Sequence, residues 1–120
     1  MLNLTPGVST RVFLACGSTS MKYSIDGLAA LVKYQFKLDP FSSNLFVFCN
    51  RQKDKIKVLY WQETGFTLWY KRLEKGRRFR WPDHSNEIMA VSDRQLSWLL
   101  DGLALEQPKA HKEVTARVMF

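Results

Sequence analysis

The sequence predicts a single α+β domain in which an antiparallel sheet of about four to five strands carries two helices on one face. Two segments have the apolar spacing of amphipathic helices, and β-rich runs precede the first helix and fill the stretch between the two. The predicted order is therefore β-α-β-β-β-α. Only one strand–helix–strand unit occurs, at the start of the chain, and this disfavours a doubly wound parallel sheet.

Length and composition are those of one small globular domain. The chain has 120 residues, of which 46% are hydrophobic and 24% charged. We assign the domain to residues 10–104, between a flexible arm at 1–9 and a loosely ordered tail at 105–120. No uncharged run could span a bilayer, and the N-terminus lacks the pattern of a signal peptide. We therefore expect a cytoplasmic protein with no membrane partner.

The first strand and the first helix follow from residues 10–36. Residues 10–16 are rich in β-forming side chains and end at the turn residues 17–20. Ser24 is a candidate N-cap for the helix, and Gly27 within it suggests close packing against a strand. The apolar face of this helix consists of Ile25, Leu28, Ala29, Val32 and Phe36.

The next strands form the middle of the predicted sheet. Residues 45–49 are almost wholly apolar and indicate a central strand that is covered on both faces. Residues 55–62 and 66–75 read as a hairpin, with Gly65 at the positive-φ position of its turn. Alternation along the first hairpin strand places Ile56, Val58 and Tyr60 on one face and Lys55, Lys57, Leu59 and Trp61 on the other.

The last part of the domain is predicted to contain an edge strand, a loop and a helix. Residues 77–81 could form a basic edge strand that ends at Pro82, and residues 83–91 a loop with some β character. Ser92 and Gln95 have the spacing of a capping box at the start of a second helix, and Gly102 has the position of a C-cap glycine.

The positive charge of the chain is concentrated in residues 51–80. This stretch holds ten Lys or Arg and three Asp or Glu, a net charge of +7, whereas the rest of the chain holds eight of each and is neutral. Aromatic residues alternate with the cations, a combination that nucleic-acid-binding surfaces use. The candidate nucleic-acid-binding residues are Lys55, Lys57, Trp61, Trp69, Lys71, Arg72, Lys75, Arg77, Arg78 and Arg80. The alternative is that the rings belong to the core and the cations to a solvated surface.

The sequence indicates no catalytic, metal or cofactor site. Cys16 and Cys49 each end a short apolar run, as buried reduced thiols do, and His84 and His111 lie near no nucleophile pattern. The carboxylates are scattered singly along the chain. Residues 17–20 resemble a phosphate-binding loop only in their hydroxyl groups, since the Gly-Lys-Ser/Thr ending is absent, and a simple turn is the favoured interpretation.

Many segments in one order resemble a known family. They are RVFLACG at 11–17, SIDGLAALV at 24–32, DPFS at 39–42, LFVF at 45–48, DKIKVLYW at 54–61, GF at 65–66, WYKRLEKG at 69–76, FRWP at 79–82 and QL at 95–96. They resemble the small TnpB-type accessory protein, the product of the second reading frame, of the insertion sequence sixty-six family of bacterial transposons. The chain departs from the family pattern at residues 20–23, where one acid and one base are replaced, and at Arg77 and Arg78, where one residue is added.

The resemblance implies a protein that is encoded beside a larger transposase, is needed for efficient transposition and has no established catalytic activity. Our leading hypothesis is a non-catalytic factor that binds transposon DNA through the basic hairpin and assists that transposase. The alternative hypothesis is an adaptor that docks on the transposase without contacting DNA.

Overall fold

The computed structural model describes residues 10–84 and 87–105, and the predicted arm at 1–9 and nearly all of the predicted tail lie outside them. Within these ranges, five strands and two helices follow one another in the order β-α-β-β-β-β-α. They are β1 (Val12–Ala15), α1 (Ile25–Ala30, continued by a π-helical segment at Leu31–Gln35), β2 (Leu45–Cys49), β3 (Lys55–Gln62), β4 (Gly65–Arg72), β5 (Ile88–Val91) and α2 (Asp93–Leu100).

All five strands form one sheet in the order β4-β3-β2-β1-β5. The predicted α+β class, with about five strands and two helices, is confirmed. Three of the pairings are antiparallel, as expected, but β1 and β2 are parallel, with Val12 opposite Leu45. The parallel pair arises because α1 crosses over between these two strands, so the sheet is mixed.

The two helices lie on opposite faces of the sheet, and the expectation that they share one face is wrong. Leu28 and Val32 of α1 pack with Phe46 and Phe48 of β2, whereas α2 belongs to the core on the other side. That second core contains Val12, Leu14, Leu45, Val47, Cys49, Ile56, Val58, Tyr60, Phe79, Trp81, Leu96 and Leu99. Because every side chain of β2 is buried, both faces of the sheet need a cover.

The start of α1 has an unusual contact. Ser24 is the N-cap residue of the helix, as predicted, but its side chain makes no capping hydrogen bond. A Cβ added at Gly27 would lie 2.6 Å from Cδ1 of Tyr23. Glycine therefore makes room for the ring of Tyr23, and not for a strand as expected.

The hairpin of β3 and β4 has the predicted alternation, with Ile56, Val58 and Tyr60 in the α2-side core and Leu59 in the α1-side core. Its two-residue turn puts the positive φ at Glu63, with φ 40°, and Gly65 instead begins β4. The expectation of a positive φ at Gly65 is therefore wrong.

Residues 73–82, which we call the connecting segment, form no strand, contrary to the predicted edge strand at 77–81. Phe79 and Trp81 are buried on the α2 side, and the indole Nε1 of Trp81 donates to the carbonyl oxygen of Ala15 at 3.1 Å. Burial of these two rings holds the segment across one end of the sheet instead of along its edge. The β character near Ile88 belongs to β5, a true edge strand that pairs with β1.

Candidate nucleic-acid interface

Two of the predicted contact lysines are bonded to backbone carbonyl groups inside the domain. The Nζ of Lys57, on the α1 side, donates to the carbonyl oxygens of Met21 and Tyr23, both at 2.9 Å. The Nζ of Lys71, on the α2 side, donates to the carbonyl oxygen of Leu100 at 2.7 Å. A cation at the end of α2 also interacts favourably with the helix dipole. Both lysines therefore have structural roles on opposite faces of the sheet.

Three further cations form ion pairs with carboxylates. Lys53 pairs with Asp83 at 2.7 Å, Lys55 with Asp54 at 3.4 Å and Arg72 with Glu74 at 2.8 Å. The pKa of Asp54 is lowered, first because the side chain of Asn50 donates to it and then because Lys55 lies beside it. The pKa of Arg72 is raised, chiefly by its hydrogen bond to Glu74. These exposed or half-exposed pairs remove part of the local charge excess.

The remaining five cations of the basic stretch have no such partner. Within the described part of the chain, the side chains in question make no ion pair and no hydrogen bond, and all five residues are exposed. They are Arg51, Lys75, Arg77, Arg78 and Arg80. A long, unpaired cationic side chain is free to contact a phosphate group.

These five cations lie at one end of the sheet, which we call the basic end. Arg51 is in the turn between β2 and β3, and the other four are in the connecting segment. Backbone hydrogen bonds join the two, from Leu73 N to the oxygen of Asp54 at 2.8 Å and from Phe79 N to the oxygen of Lys53 at 2.6 Å. The loop after β1 is attached to the same end, because Gly17 N donates to the oxygen of Pro82 at 2.8 Å. Residues far apart in sequence thus meet at the same end of the sheet.

The two predicted tryptophans lie away from the basic end or within the core. Trp69 stands opposite Val58 and packs against the α2-side core. Trp61 lies beside the β3–β4 turn, at the other end of the hairpin, with its ring centroid 5.1 Å from that of Phe41 and 5.0 Å from that of Phe66. The structure therefore does not bring the ten predicted residues onto one surface, and Lys75, Arg77, Arg78 and Arg80 are the members that lie together unpaired.

Sequence reasoning missed two residues that the fold adds to this region. Arg51 is exposed at the basic end, and the side chain of Lys22 lines a pocket beside it. Arg51 could have been found, since it begins the charged stretch and precedes a turn. Lys22 had no such signal, because only the pairing of β1 with β2 brings its loop to this end.

The two cysteine thiols are buried within the core. Cys16 and Cys49 are buried free thiols, as predicted, and burial raises the pKa of both, that of Cys49 to about 12. Such thiols stay protonated near neutral pH and are poor nucleophiles.

Among residues 10–84 and 87–105, no three His, Cys, Asp or Glu side chains are grouped so as to hold a metal ion. In those same ranges, every helix is too short or too polar to cross a membrane.

Comparison with known proteins identifies relatives over most of the chain. The model of the family described as IS66 Orf2 like protein matches residues 10–110. The chain is 39% identical over 106 residues to an uncharacterized protein, y4hO, of Sinorhizobium fredii. This aligned region covers 88% of the present chain and 91% of the relative. The chain is 30% identical over 98 residues to a second uncharacterized protein of that organism, y4jC, covering 82% and 83%. No solved structure matches.

Proposed function

The chain belongs to the IS66 Orf2-like family, and from this we propose that it is a non-catalytic accessory factor of DNA transposition. In this proposal it binds DNA through the basic end and assists the separate transposase of its element. The family supports the link to transposition. Direct DNA contact is supported by one structural observation, the five unpaired cations that two hydrogen-bonded segments hold at one end of the sheet.

The arrangement suits a phosphate backbone better than a base-reading surface. Exposed Arg and Lys side chains on loops neutralise phosphates and release counterions, and this supplies affinity without sequence information. The five unpaired cations of the basic stretch lie in a turn and in the connecting segment and not on a helix, whereas a recognition helix carries the contacts to the bases itself. We therefore expect affinity that depends strongly on salt.

A gel-shift titration at several salt concentrations tests this proposal. The variant Arg77→Ala/Arg78→Ala/Arg80→Ala should bind duplex DNA more weakly. In a plot of log affinity against log salt concentration, the slope for the variant should be shallower than that for the native protein by about 0.9 for each phosphate that the variant no longer neutralises. The control is Arg11→Ala/Lys33→Ala/Arg94→Ala, which removes the same charge elsewhere on the surface. Equal weakening in both variants, or no DNA binding by the native protein at low salt, would contradict the proposal.

The second candidate function is a protein adaptor, and exposed aromatic residues favour it. Tyr34, Phe41 and Tyr70 are 65%, 56% and 48% exposed, and Phe41 and Tyr70 lie on the α1 side of the sheet. Large exposed apolar side chains are typical of contact surfaces. The test is copurification with the transposase. The adaptor is favoured if copurification persists after nuclease treatment and after replacement of Arg77, Arg78 and Arg80, and is lost when the three rings are replaced.

A further inference from the structure

A pocket of about 580 Å³ opens beside the basic end, between the loop after β1 and the turn after β2. Its walls combine hydroxyl groups with cations, and no Asp or Glu is among the residues that line it. Its polar and cationic lining includes Ser18, Thr19, Lys22, Arg51, Gln52 and Lys55. Among the described residues, Lys55 is the cation of this set that is paired, with Asp54 at 3.4 Å, and the hydroxyl groups together with the other cations, Lys22 and Arg51, favour an anion.

Both walls of this pocket are fixed by hydrogen bonds. The backbone N–H of Thr19 donates to the carbonyl oxygen of Cys49 at 2.7 Å, which ties the loop to the end of β2. On the other wall, the side-chain oxygen of Asn50 accepts from the backbone N–H groups of Asp54 and Lys55, each at 3.0 Å. The pocket is thus formed before any ligand binds, which lowers the entropic cost of binding.

Four of the donors that line the pocket have no partner in the part of the protein that the structure describes. Within the described residues, the hydroxyl groups of Ser18 and Thr19 have no protein partner, nor do the side-chain cations of Lys22 and Arg51. The carboxylate of Asp54 accepts from Asn50 at 2.7 Å and pairs with Lys55 at 3.4 Å, and Asp54 is not among the residues that line the pocket.

A second pocket, of about 420 Å³, shares the residues at 18–20 with the first. Tyr23, Leu31, Gln35 and Phe36 also line it, so that an aromatic ring adjoins the cationic pocket within a lining that is mostly polar. The ring of Tyr23 rests on the Cα of Gly27, since a Cβ there would lie 2.6 Å from the ring, and Tyr23 is 41% exposed. Part of a positioned ring is thus exposed beside the pocket.

We propose that these adjoining pockets bind one phosphorylated nucleoside unit. The phosphate accepts hydrogen bonds from Ser18, Thr19 and the cations Lys22 and Arg51, and the base packs on the ring of Tyr23. The inference deepens the proposed function and rests on it, since an unpaired nucleotide of a DNA strand is such a unit. A free mononucleotide is the other source of the same chemistry.

Recognition here differs from that of a phosphate-binding loop. Such loops use glycine-rich backbone N–H groups and a Gly-Lys-Ser/Thr ending, which this chain lacks. The donors are instead side chains from two loops that the parallel pairing of β1 and β2 places together. This explains why the sequence of residues 17–20 alone indicated only a turn.

Charge-neutral variants of the full chain separate this site from the general attraction of the basic end. Calorimetric titration with thymidine 5′-monophosphate, thymidine and a short oligothymidine should give binding of the two phosphorylated probes only. Ser18→Ala/Thr19→Val should weaken both by about a hundredfold, because two hydrogen bonds to a charged group are removed. The control Ser43→Ala/Thr64→Val removes two exposed side-chain hydroxyls outside the pocket and should change neither.

A second pair of variants tests the aromatic half of the site. Tyr23→Leu should weaken oligothymidine binding several-fold, whereas Tyr34→Leu, which removes an exposed ring of the same helical region, should not. Phosphorylated probes that bind native protein and pocket variants equally, or not at all, would overturn the inference.

These outcomes are distinct from those of the proposed function. Duplex binding that disappears on replacement of Arg77, Arg78 and Arg80 but is insensitive to Ser18 and Thr19 would leave the DNA proposal standing and overturn the nucleotide site. If the protein binds oligothymidine through the pocket but does not bind duplex DNA, the nucleotide site stands and the proposal of duplex binding through the basic end is overturned. Binding of the mononucleotide but not the oligonucleotide would identify a free nucleotide as the ligand.

Discussion

The ten cations of residues 51–80 have three kinds of environment, and these decide what each side chain can do. Lys57 and Lys71 are bonded to carbonyl groups, and Lys53, Lys55 and Arg72 are paired with carboxylates. The other five have no partner among the residues that the structure describes. A bonded lysine contributes to folding, whereas an unpaired one at the surface contributes little to it.

A lysine bonded to carbonyl groups and an unpaired lysine should respond differently to removal of their charge. Lys57→Met should lower the free energy of unfolding by about 1 to 2 kcal/mol, because the carbonyl groups of Met21 and Tyr23 lose their donor. Lys75→Met should change it by less than about 0.5 kcal/mol. Urea unfolding of both variants measures the difference, and equal stability would contradict the structural role given to Lys57.

The contact of Gly27 with Tyr23 gives a second prediction, in the form of a double-mutant cycle. Gly27→Ala alone should not stabilise the protein, because the new Cβ meets the ring. In a Tyr23→Ala background the same change should stabilise it by about 0.5 to 1 kcal/mol, the usual helix preference for alanine. Thermal unfolding of the four proteins gives the coupling, and additive effects would mean that the contact is unimportant.

Burial of Cys49 predicts a dependence of stability on pH. The pKa of its thiol is raised from 9.0 to about 12 in the folded state. Below pH 9 the thiol is protonated in both states, and the free energy of unfolding does not depend on its ionisation. As the pH rises from 9 toward 12, the free energy of unfolding should fall progressively, because the thiol ionises first in the unfolded chain. Subtracting the profile of Cys49→Ala from that of the native protein isolates this effect, and a flat difference would show that the thiol ionises equally in both states.

At the scale of the element, local chemistry defines α2 more completely than α1. The hydroxyl group of Ser92 accepts from the backbone N–H of Gln95, and the side chain of Gln95 accepts from the N–H of Ser92, both at 3.0 Å. Gly102 has φ 81° directly after the helix, as a C-cap glycine does. By contrast, α1 has no side-chain cap and continues as a π-helical segment, so packing on the sheet must hold it.

Removing the cap should therefore destabilise α2 measurably. Ser92→Ala should lower the free energy of unfolding by about 1 kcal/mol and speed amide exchange in the first turn of the helix. Ser97→Ala, at an exposed position within the same helix, is the control and should have almost no effect. Equal changes in the two variants would show that the capping box does not stabilise the helix.

At the scale of the whole molecule, the connecting segment links the core to the basic end. Phe79 and Trp81 are buried in the α2-side core, while Arg77, Arg78 and Arg80, interleaved with them, are exposed. The alternation resembles that of a strand, but the backbone bonds go to Lys53 and from Gly17, across the end of the sheet. The same packing that stabilises the domain thus positions the candidate DNA-contacting side chains.

Removal of one of these buried rings should affect both stability and binding. Phe79→Ala should cost about 3 to 5 kcal/mol of folding free energy through the cavity it leaves. In conditions where the variant is folded, its affinity for duplex DNA should also fall, because Arg78 and Arg80 lose their fixed position. Phe41→Ala, at an exposed ring, is the control for gel shifts, and undiminished DNA affinity of folded Phe79→Ala would contradict the link.

Local sequence patterns were enough to predict the α+β class, the periodic faces of both helices, the alternation along β3, the capping box and the place of the charge, because each depends on neighbours a few residues apart. Long-range packing was needed to make β1 and β2 parallel, to put the helices on opposite faces and to carry residues 77–81 across the end of the sheet. It also decided which cations are unpaired, since Lys57 meets Met21 and Lys71 meets Leu100 across long stretches of chain. Partners that distant leave no mark in local spacing, so the basic end and its pocket emerge only when the chain is folded.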